Sequence, residues 1–217
     1  MRKQILSMAV LAALAIGLPL TAAKKKAAAA PAFTYYLLSL SWAPDFCATA
    51  GQNASPAECG VGRKVGFVVH GLWPQGDTGR GPENCGTASP VAQNIVQVML
   101  NYIPTASLIQ HEWKTHGTCS GLSAADYFAA VRKARDAVKI PADFTAPAQT
   151  QNLSPAAIEQ GFAAANPSFP KAAFRTSCTG NALQETRICF SKDLSPIACT
   201  ASAGECTLAS VRVLPVK

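Results

Sequence analysis

The segment FVVHGLWPQ, residues 67–75, is an apolar run that leads into histidine, glycine, tryptophan and proline. A second segment, HEWKTHGTC, occupies residues 111–119. Together they contain His70, His111 and His116, which are all 3 histidines of the chain. Imidazole titrates near neutral pH and therefore serves as a proton donor or acceptor in catalysis. We expect the function of the protein to depend on the place where the two segments meet.

The first 23 residues are predicted to be a secretory signal peptide. Arg2 and Lys3 give it a positive start, residues 5–20 are almost entirely apolar, and residues 21–23 are small residues suited to signal-peptidase cleavage. A membrane anchor is the alternative, but the apolar run is short for a span and a lysine-rich stretch follows it. The sequence favours export to the periplasm or the medium, without stable membrane association.

Residues 24–32 form a basic, Ala/Pro-rich stretch without periodicity, and this composition predicts a disordered leader. Residues 33–217 are enough for one domain with its own core and too few for two ordinary domains. The formal net charge of the chain is +7, and the lysines at 24–26 contribute to it. A mildly basic domain suits a polyanionic substrate, although charge alone does not identify one. The short signal and alanine-rich leader favour a bacterial protein.

The chain contains 8 cysteines, and an even number in an exported protein indicates four disulfides. Each disulfide is expected to stabilise the fold by about 2–4 kcal/mol through restriction of the unfolded chain. No two cysteines have the CxxC spacing of a zinc knuckle or a thioredoxin-like redox site. Spacing alone leaves about 105 possible pairings open.

Apolar periodicity and turn residues predict both strands and helices. Strands are predicted over residues 33–42, 64–70, 183–190 and 207–216. Helices are predicted to begin at Pro90 after a Ser89 cap, at Ser107, after a Ser123 cap, and at Ser154-Pro155. We expect Pro44 to end the first strand, His70 to end the second, and Gly117 to end the second helix in the left-handed conformation. Because no regular βαβ alternation occurs, the predicted fold class is α+β.

A metal site is the first chemical possibility that the histidines raise. The segment HEWKTH is similar to the zinc-binding pattern HExxH but contains one residue too many. His111 and His116 are five positions apart, which places them roughly 140° apart around a helix instead of on one face. No carboxylate-rich segment elsewhere indicates a two-metal site. The spacing therefore disfavours a metal site, we predict no metal and no cofactor, and a metal enzyme stays an alternative at this point.

Acid–base chemistry fits the two segments better. Glu112 and His116 are four positions apart and are predicted to share a helix face, where a carboxylate raises the pKa of an imidazole. His70, on a strand, provides a second and independent imidazole. Lys114 adds positive charge, and Trp73 offers a face on which a base can stack. Without a nucleophilic Ser or Cys, this set suits in-line transfer at phosphorus.

Each of these residues also has a structural interpretation. Trp73 and Trp113 are of a type usually found in the core, and for Trp113 the core is the favoured position. Glu112 fits a solvated helix face, and Cys119 is expected to be structural. The placement of every histidine in two short segments is what favours function over structure.

The motifs VHGLWP and HEWKTHGTC resemble the two active-site segments of the ribonuclease T2 family of secreted endoribonucleases. They are ungapped and in the family's order, and the SWAPDFC, TSC, RICF and IAC segments extend the resemblance. It implies an antiparallel sheet packed with several helices in a single catalytic domain, residues 33–217. It also implies a monomer that cleaves single-stranded RNA with low base specificity. DNA lacks the attacking 2′-hydroxyl and should not be cleaved.

The resemblance implies a role for each matching residue. His116 corresponds to the general base that deprotonates the ribose 2′-hydroxyl, and His70 to the general acid that protonates the leaving 5′-oxygen. His111 corresponds to a phosphate-contacting histidine, and Glu112 to a carboxylate that assists at the charged intermediate. The implied product is a 2′,3′-cyclic phosphate and then a 3′-phosphate.

The resemblance also implies how the cysteines pair. The implied disulfides are Cys47–Cys59, Cys85–Cys119, Cys178–Cys206 and Cys189–Cys199. The second of these would join the loop after the first motif to the end of the second motif, and so hold both halves of the site together.

Two positions depart from the family pattern. Thr115 stands where the family usually has lysine before the last histidine, and the lysine occurs one position earlier, at Lys114. On a helix this moves the cation by about 100°. Gln75 follows HGLWP where many relatives have an aspartate that helps to bind a base. We expect Trp73, Lys114 and Gln75 to contact the substrate, and the base preference stays open.

Two rival hypotheses remain on the sequence alone. One is a metal-dependent phosphoesterase, which sensitivity to a chelator would distinguish. The other is a catalytically inactive RNA-binding or toxic-partner module on the same scaffold, for which Thr115 is the only argument.

Overall fold

The computed structural model describes residues 33–50, 55–78 and 80–216, and the predicted signal peptide and leader lie outside these residues. The strands are β1 (Tyr35–Trp42), β2 (Phe67–Gln75), β3 (Gln151–Leu153), β4 (Phe174–Thr179), β5 (Ala182–Phe190) and β6 (Val211–Val213). The helices are α1 (Ala43–Thr49), α2 (Pro56–Cys59), α3 (Gln93–Met99), α4 (Ala106–Thr115), α5 (Ala124–Ala137) and α6 (Pro155–Ala165). One sheet with packed helices confirms the α+β prediction.

The described strands form a 6-stranded sheet in the order β2–β1–β5–β6–β3, and β4 also pairs with β5. The pairings are antiparallel except for one parallel bridge between β5 and β6, at Ala182 and Arg212. Strand β2 therefore lies at an edge of the sheet, beside β1. This edge carries the first histidine segment.

The main core lies between one face of the sheet and helices α3 to α6. Leu38 and Leu40 of β1 and Leu72 of β2 point into it, and they meet Ile109 of α4 and Phe128 of α5. These side chains are almost completely buried, and burial of apolar surface is the main stabilising term of such a domain. The helix with the second histidine segment is thus packed against the sheet that carries the first.

The opposite face of the sheet has a smaller apolar cluster, formed by Tyr35, Leu37, Cys189 and Ala203. Trp73 of β2 packs against this cluster. The chain around Ala203 therefore covers this face near Trp73.

Four disulfides cross-link the described residues. They are Cys47–Cys59, Cys85–Cys119, Cys178–Cys206 and Cys189–Cys199, the pairs that the resemblance implies. Cys85–Cys119 joins the loop after β2 to the turn that follows α4. In the described part of the chain, no helix is long and apolar enough to cross a membrane.

Strand β2 is longer than predicted and does not end at His70. It continues through Pro74 to Gln75, which pairs with Tyr35 of β1. Pro74 is tolerated because β2 is an edge strand, where a missing N–H costs no ladder hydrogen bond. His70 therefore lies inside the strand.

Other strand boundaries also differ from the prediction. Pro44 belongs to the first turn of α1, so the first strand ends because a helix begins, not because a loop does. The last predicted strand is reduced to β6, with only Val211–Val213 paired. Strand β4 was missed because its sequence, FRTSCT, is short and largely polar.

Helix α3 begins at Gln93, three residues after the predicted start at Pro90, and Ser89 does not cap it. The side chain of Gln110 in α4 accepts a hydrogen bond from the Val91 N–H and donates one to the Val91 carbonyl. These two long-range hydrogen bonds hold the segment before α3 in an extended conformation. No local sequence pattern predicts them.

The other predicted helix ends are closer to the structure. Ser123 and Ser154 cap α5 and α6, each accepting a backbone N–H three residues on, as predicted. Helix α4 is capped by Thr105, and Gly117 does not end it in the left-handed conformation. Gly117 instead opens a tight 3₁₀ turn, and Gly121 adopts the positive φ of 76°.

Candidate active site

A β-bulge sets the position of His70. Ser39 of β1 pairs with Gly71, and the next residue, Leu40, pairs with Val69, so His70 is the extra residue of β2. Val69 and Leu72 are both fully buried on the core side. A bulge lets a strand keep its core residues on one face while it redirects the intervening side chain. His70 is therefore directed out of the core, to a place that simple alternation would not allow.

His70 lies between two buried carboxyl groups. Its Nδ1 is 2.7 Å from Oε1 of Glu185 on β5, and its Nε2 is 3.8 Å from Oε1 of Glu112 on α4. Burial lowers the pKa of His70, but the hydrogen bond and the charge of Glu185, with the charge of Glu112, outweigh it, and the net pKa is raised. His70 therefore tends to keep its proton.

Glu112 is held at the sheet edge by β2. Its side chain is 1% exposed, and its Oε2 accepts a hydrogen bond of 2.9 Å from the Trp73 indole N–H. Its Oε1 is buried and has no hydrogen-bond partner among the described residues. Burial raises the pKa of Glu112 to about 7, against the opposing effects of His70 and Trp73. The interpretation of Glu112 as a solvated helix residue is therefore wrong.

His116 is the residue that ends helix α4. Its ring lies 5.4 Å from the Trp73 ring, and the His70 ring lies 5.1 Å from the same tryptophan. Burial, and then the neighbouring charges of His111 and His70, lower the pKa of His116 to about 4. The expected pairing with Glu112 across one helix face, and the raised pKa that it implied for His116, are wrong because Glu112 turns towards β2.

The loop after β2 fixes the end of α4. The Asn84 N–H donates to the Thr115 carbonyl over 2.7 Å, and the Cys85 N–H donates to the Thr118 hydroxyl over 3.2 Å. The disulfide from Cys85 to Cys119 closes the same contact covalently. These bonds hold the backbone on both sides of His116.

The other predicted site residues are less closely joined to this group. His111 is exposed on α4, near enough to His116 to affect its pKa. Lys114 is exposed in the last turn of α4, whereas Thr115 beside it is 9% exposed. Gln75 is buried at the end of β2, and its amide lies against Gly81.

Trp113 packs against the main core, as its structural interpretation predicts, and donates a hydrogen bond to the Ser89 carbonyl.

Two residues of the site were missed by the sequence analysis. Glu185 and Arg187 lie two positions apart on β5 and so share one face of the strand. Arg187 donates from Nε and Nη2 to Oε2 of Glu185, over 2.9 and 2.8 Å, and its guanidinium lies 5.7 Å from the Trp73 ring. A signal was present: an acid and a base share one face of a segment, LQETRICF, that is otherwise rich in strand-forming residues.

A cavity of about 320 Å³ opens beside His70. Its walls include Ser41, Phe46, Pro104, Leu108 and Leu183. It is bounded by β1, β2, β5 and the start of α4, so it continues the same site away from Trp73. Among the described residues, no group of three or more His, Cys, Asp or Glu side chains is arranged to hold a metal ion.

The fold is that of a class of α+β ribonucleases. Ribonuclease MC1 from the seeds of bitter gourd superposes with a TM-score of 0.61 and 25% identity, over 82% of this chain and 99% of that one. RNase NT, solved in complex with 5′-AMP, gives a TM-score of 0.65 and 20% identity, over 85% of this chain and 99% of that one.

Residues 33–199 match the model of the Ribonuclease T2 family, and the chain belongs to this family. It is 42% identical over 95 residues to a ribonuclease of Aeromonas hydrophila, covering 44% of this chain and 41% of that one. It is 36% identical over 119 residues to a probable ribonuclease of Haemophilus influenzae, covering 49% of this chain and 44% of that one. The match thus spans less than half the length of these relatives.

Proposed function

We propose that the protein is an endoribonuclease that cleaves single-stranded RNA by transphosphorylation, leaving a 2′,3′-cyclic phosphate and then a 3′-phosphate. The observation that carries the proposal is the pair His70 and His116, which lie against one Trp73 ring and have pKa values shifted in opposite directions. Transphosphorylation needs one group that accepts a proton and another that donates one at the same pH. Membership of the family supports the same reaction.

In the first step, neutral His116 accepts the proton of the ribose 2′-hydroxyl, and the 2′-oxygen attacks phosphorus. The bond from phosphorus to the 5′-oxygen breaks, and protonated His70 gives its Nε2 proton to this leaving oxygen. In the second step, His70 accepts a proton from water, whose oxygen opens the cyclic phosphate. His116 then returns its proton to the 2′-oxygen, so both histidines regain their starting state.

Glu112 is proposed to stabilise the charge that develops on the phosphoryl oxygens. With a pKa of about 7, its carboxyl group is protonated in mildly acidic solution. Because Oε2 accepts the Trp73 N–H, the proton resides on Oε1, which has no other partner among the described residues. A neutral buried carboxyl group can donate a hydrogen bond to an oxyanion without the repulsion that a carboxylate would cause.

The substrate is proposed to lie across β2 and α4. Exposed His111 is placed near His116 to contact a phosphate, and the cavity beside His70 is large enough for one base. Exposed Lys114 contributes positive charge from the last turn of α4. Since Gln75 is buried against Gly81, it acts on base binding through the loop after β2.

The decisive experiment is digestion of a short single-stranded RNA by the oxidised protein in excess EDTA, with the products identified by mass. Cyclic-phosphate fragments from RNA, and none from DNA of the same sequence, support the proposal. Cleavage only after divalent metal is added would replace it with a metal-dependent phosphoesterase. Intact RNA under all conditions, with a folded protein, would leave the inactive RNA-binding module.

The roles of the two imidazoles are tested by His70→Ala and His116→Ala. Each change is expected to lower kcat/KM for RNA about 10²–10⁴-fold or more, because it removes a general acid or base. Asp143→Asn, at an exposed carboxylate in the turn after α5, is the control and should leave kcat/KM unchanged. Near-normal turnover in either histidine variant would remove the acid–base assignment.

We also propose that the protein acts after export, as a monomer, in the periplasm or medium of a bacterium. The proposal rests on the signal-like residues 1–23 and on four disulfides, which persist in oxidising compartments. N-terminal sequencing of the protein recovered from periplasm and medium tests it, and an uncut N-terminus in the cytoplasm would contradict it.

A further inference from the structure

An ion pair between buried Glu185 and partly buried Arg187 lies behind His70, on the side away from Glu112. Glu185 is 2% exposed, and its two oxygens have different partners. Oε1 is bound to Nδ1 of His70, while Oε2 accepts both contacts from Arg187. We propose that Glu185 and Arg187 are positioning residues that keep His70 protonated at Nδ1 and leave Nε2 to the substrate. The inference rests on the proposed role of His70 as the general acid.

The hydrogen-bond pattern argues that the pair is built for His70. Arginine and a carboxylate often form two parallel bonds, one to each oxygen. Here Nε and Nη2 of Arg187 both donate to Oε2, so Oε1 is left entirely to the His70 imidazole. If the carboxylate served only to neutralise Arg187, nothing would require a 2.7 Å contact with a histidine redirected by a bulge.

The surroundings of Arg187 fix its orientation. Its Nη1 donates to the Ala203 carbonyl over 2.9 Å, which anchors the end of the guanidinium that Glu185 does not hold. A Cβ atom at position 204 would lie 2.6 Å from the same Nη1, and Gly204 adopts a φ of +75° that favours glycine. The chain around Ala203 thus makes room for Arg187 and holds it in place.

The contact between Glu185 and Nδ1 of His70 determines which ring nitrogen carries a proton when the imidazole is neutral. Glu185 is ionised because His70 and Arg187 lower its pKa against the effect of burial, so its oxygens only accept hydrogen bonds. Nδ1 must therefore be the protonated nitrogen, and Nε2 is the one that gives and takes protons at the substrate. A carboxylate that fixes a histidine in this way orients the ring and stabilises the imidazolium.

The charges around His70 make the two residues act in opposite directions. The charged and titratable groups that face it are Glu112 and His116 on α4, Glu185 and Arg187 on β5, Glu58 on α2 and Asp45 on α1. Removal of the Glu185 charge should disfavour the imidazolium, and removal of the Arg187 charge should favour it. A general loss of structure would not shift the His70 pKa in opposite directions in the two variants.

Glu185→Gln is the sharpest variant because Arg187 constrains the amide. Arg187 only donates hydrogen bonds, so the new amide oxygen must face it and the NH₂ group must face Nδ1 of His70. Nδ1 of neutral His70 must then accept the amide N–H, which forces the ring into the Nε2–H tautomer. Protonation of Nδ1 would set its N–H against the amide N–H, so the imidazolium is disfavoured. Removing the constraint with Arg187→Met in the same chain lets the amide rotate and offer its oxygen to Nδ1.

The experiment is a ¹⁵N NMR titration of the imidazoles in the full chain, together with kcat/KM for RNA against pH. The chain has only 3 histidines, so His70→Ala assigns the His70 signal directly. In the wild type, neutral His70 should be the Nδ1–H tautomer. In Glu185→Gln we expect the Nε2–H tautomer, a His70 pKa lower by about one unit or more, and kcat/KM at pH 7 lower by about 10².

The other variants complete the test. Arg187→Met should raise the His70 pKa and move the alkaline fall of kcat/KM to higher pH, opposite to Glu185→Gln. The double variant should restore the Nδ1–H tautomer and part of the activity. Asp143→Asn removes one negative charge at the surface, as Glu185→Gln does in the site, and should alter none of these quantities.

Two outcomes would overturn the inference. One is an Nε2–H tautomer in the wild type, which needs no variant and so does not depend on folding of the mutants. The other is an unchanged His70 titration in well-folded Glu185→Gln. The proposed function fails separately, if the wild type makes no cyclic phosphate or if His70→Ala keeps its activity.

Discussion

Gly71 of β2 lies directly against the Glu112 carboxyl group of helix α4 in the candidate site. A Cβ atom built there would lie 1.9 Å from Oε2 of Glu112 and 2.5 Å from the indole nitrogen of Trp73. Glycine is therefore needed for its small size, because it lets the carboxyl group reach the indole N–H. Because Gly71 of the HGLW motif has no side chain, Glu112 of the second segment can occupy its position beside Trp73.

Gly71→Ala should therefore displace Glu112 and break its hydrogen bond to Trp73. We expect kcat/KM for RNA to fall about 10²-fold, since displacements of about 1 Å at a reacting centre have effects of that size. The unfolding free energy should fall by about 1–3 kcal/mol, as for other overpacked sites. Steady-state kinetics and denaturant unfolding measure the two effects.

The matched control is Gly161→Ala in helix α6. A Cβ atom there meets only the Pro141 side chain, at 3.9 Å, and alanine is the better helix former by about 1 kcal/mol. This variant should keep its activity and be as stable as the wild type or slightly more stable. If Gly71→Ala behaved in the same way, Glu112 would not need its observed position.

The residues of the site differ in how far they can be predicted from the sequence. His70, Glu112 and His116 stand in two motifs with unusual composition, so they were found without a structure. Glu185 and Arg187 lie on β5, which β1 separates from β2 in the sheet, and Glu185 is 115 residues from His70 along the chain. Such a contact depends on strand order, which local pattern does not specify.

At the scale of elements, the position of His116 depends on how the end of helix α4 is held. The helix is followed at once by a 3₁₀ turn that contains Cys119, and the loop with Asn84 and Cys85 is bonded to both. The disulfide spans 34 residues of sequence, so it restricts the unfolded chain as well as the site.

Replacing both Cys85 and Cys119 with alanine should lower the unfolding free energy by about 2–4 kcal/mol. It should also lower kcat/KM, because the backbone on either side of His116 loses its covalent support. Denaturant unfolding and RNA kinetics under oxidising conditions measure these losses.

The control is the pair Cys178 and Cys206, which spans 28 residues and joins β4 to the chain before β6. Its removal should cost similar stability, since the closed loops are similar in length, but should affect kcat/KM much less. Equal losses of activity in both double variants would mean that stability alone, not the position of His116, is affected.

Sequence pattern predicts helices α3 to α6 and strands β1, β2, β5 and β6, but not α1, α2, β3 and β4 or the geometry that makes the site. The caps Ser123 and Ser154 act locally, and their side chains bond within three residues. The bulge at His70 arises from the register between β1 and β2, which joins segments about thirty residues apart in sequence. On local pattern alone, His70 is predicted to end a strand, a position that needs no bulge.

At the scale of the whole molecule, the site trades stability against function through its titrating groups. Glu112 has a pKa raised from 4.5 to about 7, and His116 has a pKa lowered from 6.5 to about 4. The folded state holds the Glu112 proton more tightly than the unfolded state does, so this group destabilises the fold as pH rises from 4.5 to 7. His116 has the opposite effect, with stability gained as pH rises from 4 to 6.5.

Glu112→Gln isolates the first of these effects, because glutamine keeps the shape and the acceptor for the Trp73 N–H but does not ionise. Below pH 4.5 the carboxyl group is neutral in both states, so variant and wild type should be equally stable. Above pH 7 the wild type bears a buried charge, and the variant should be more stable by up to about 3 kcal/mol while it loses activity. Denaturant unfolding of both proteins at pH 4 and pH 8 measures the difference, in which the contribution of His116 cancels.

The exposed change Asp143→Asn should show no such pH dependence. A stability difference that is the same at both pH values would mean that Glu112 does not hold a proton in the folded site.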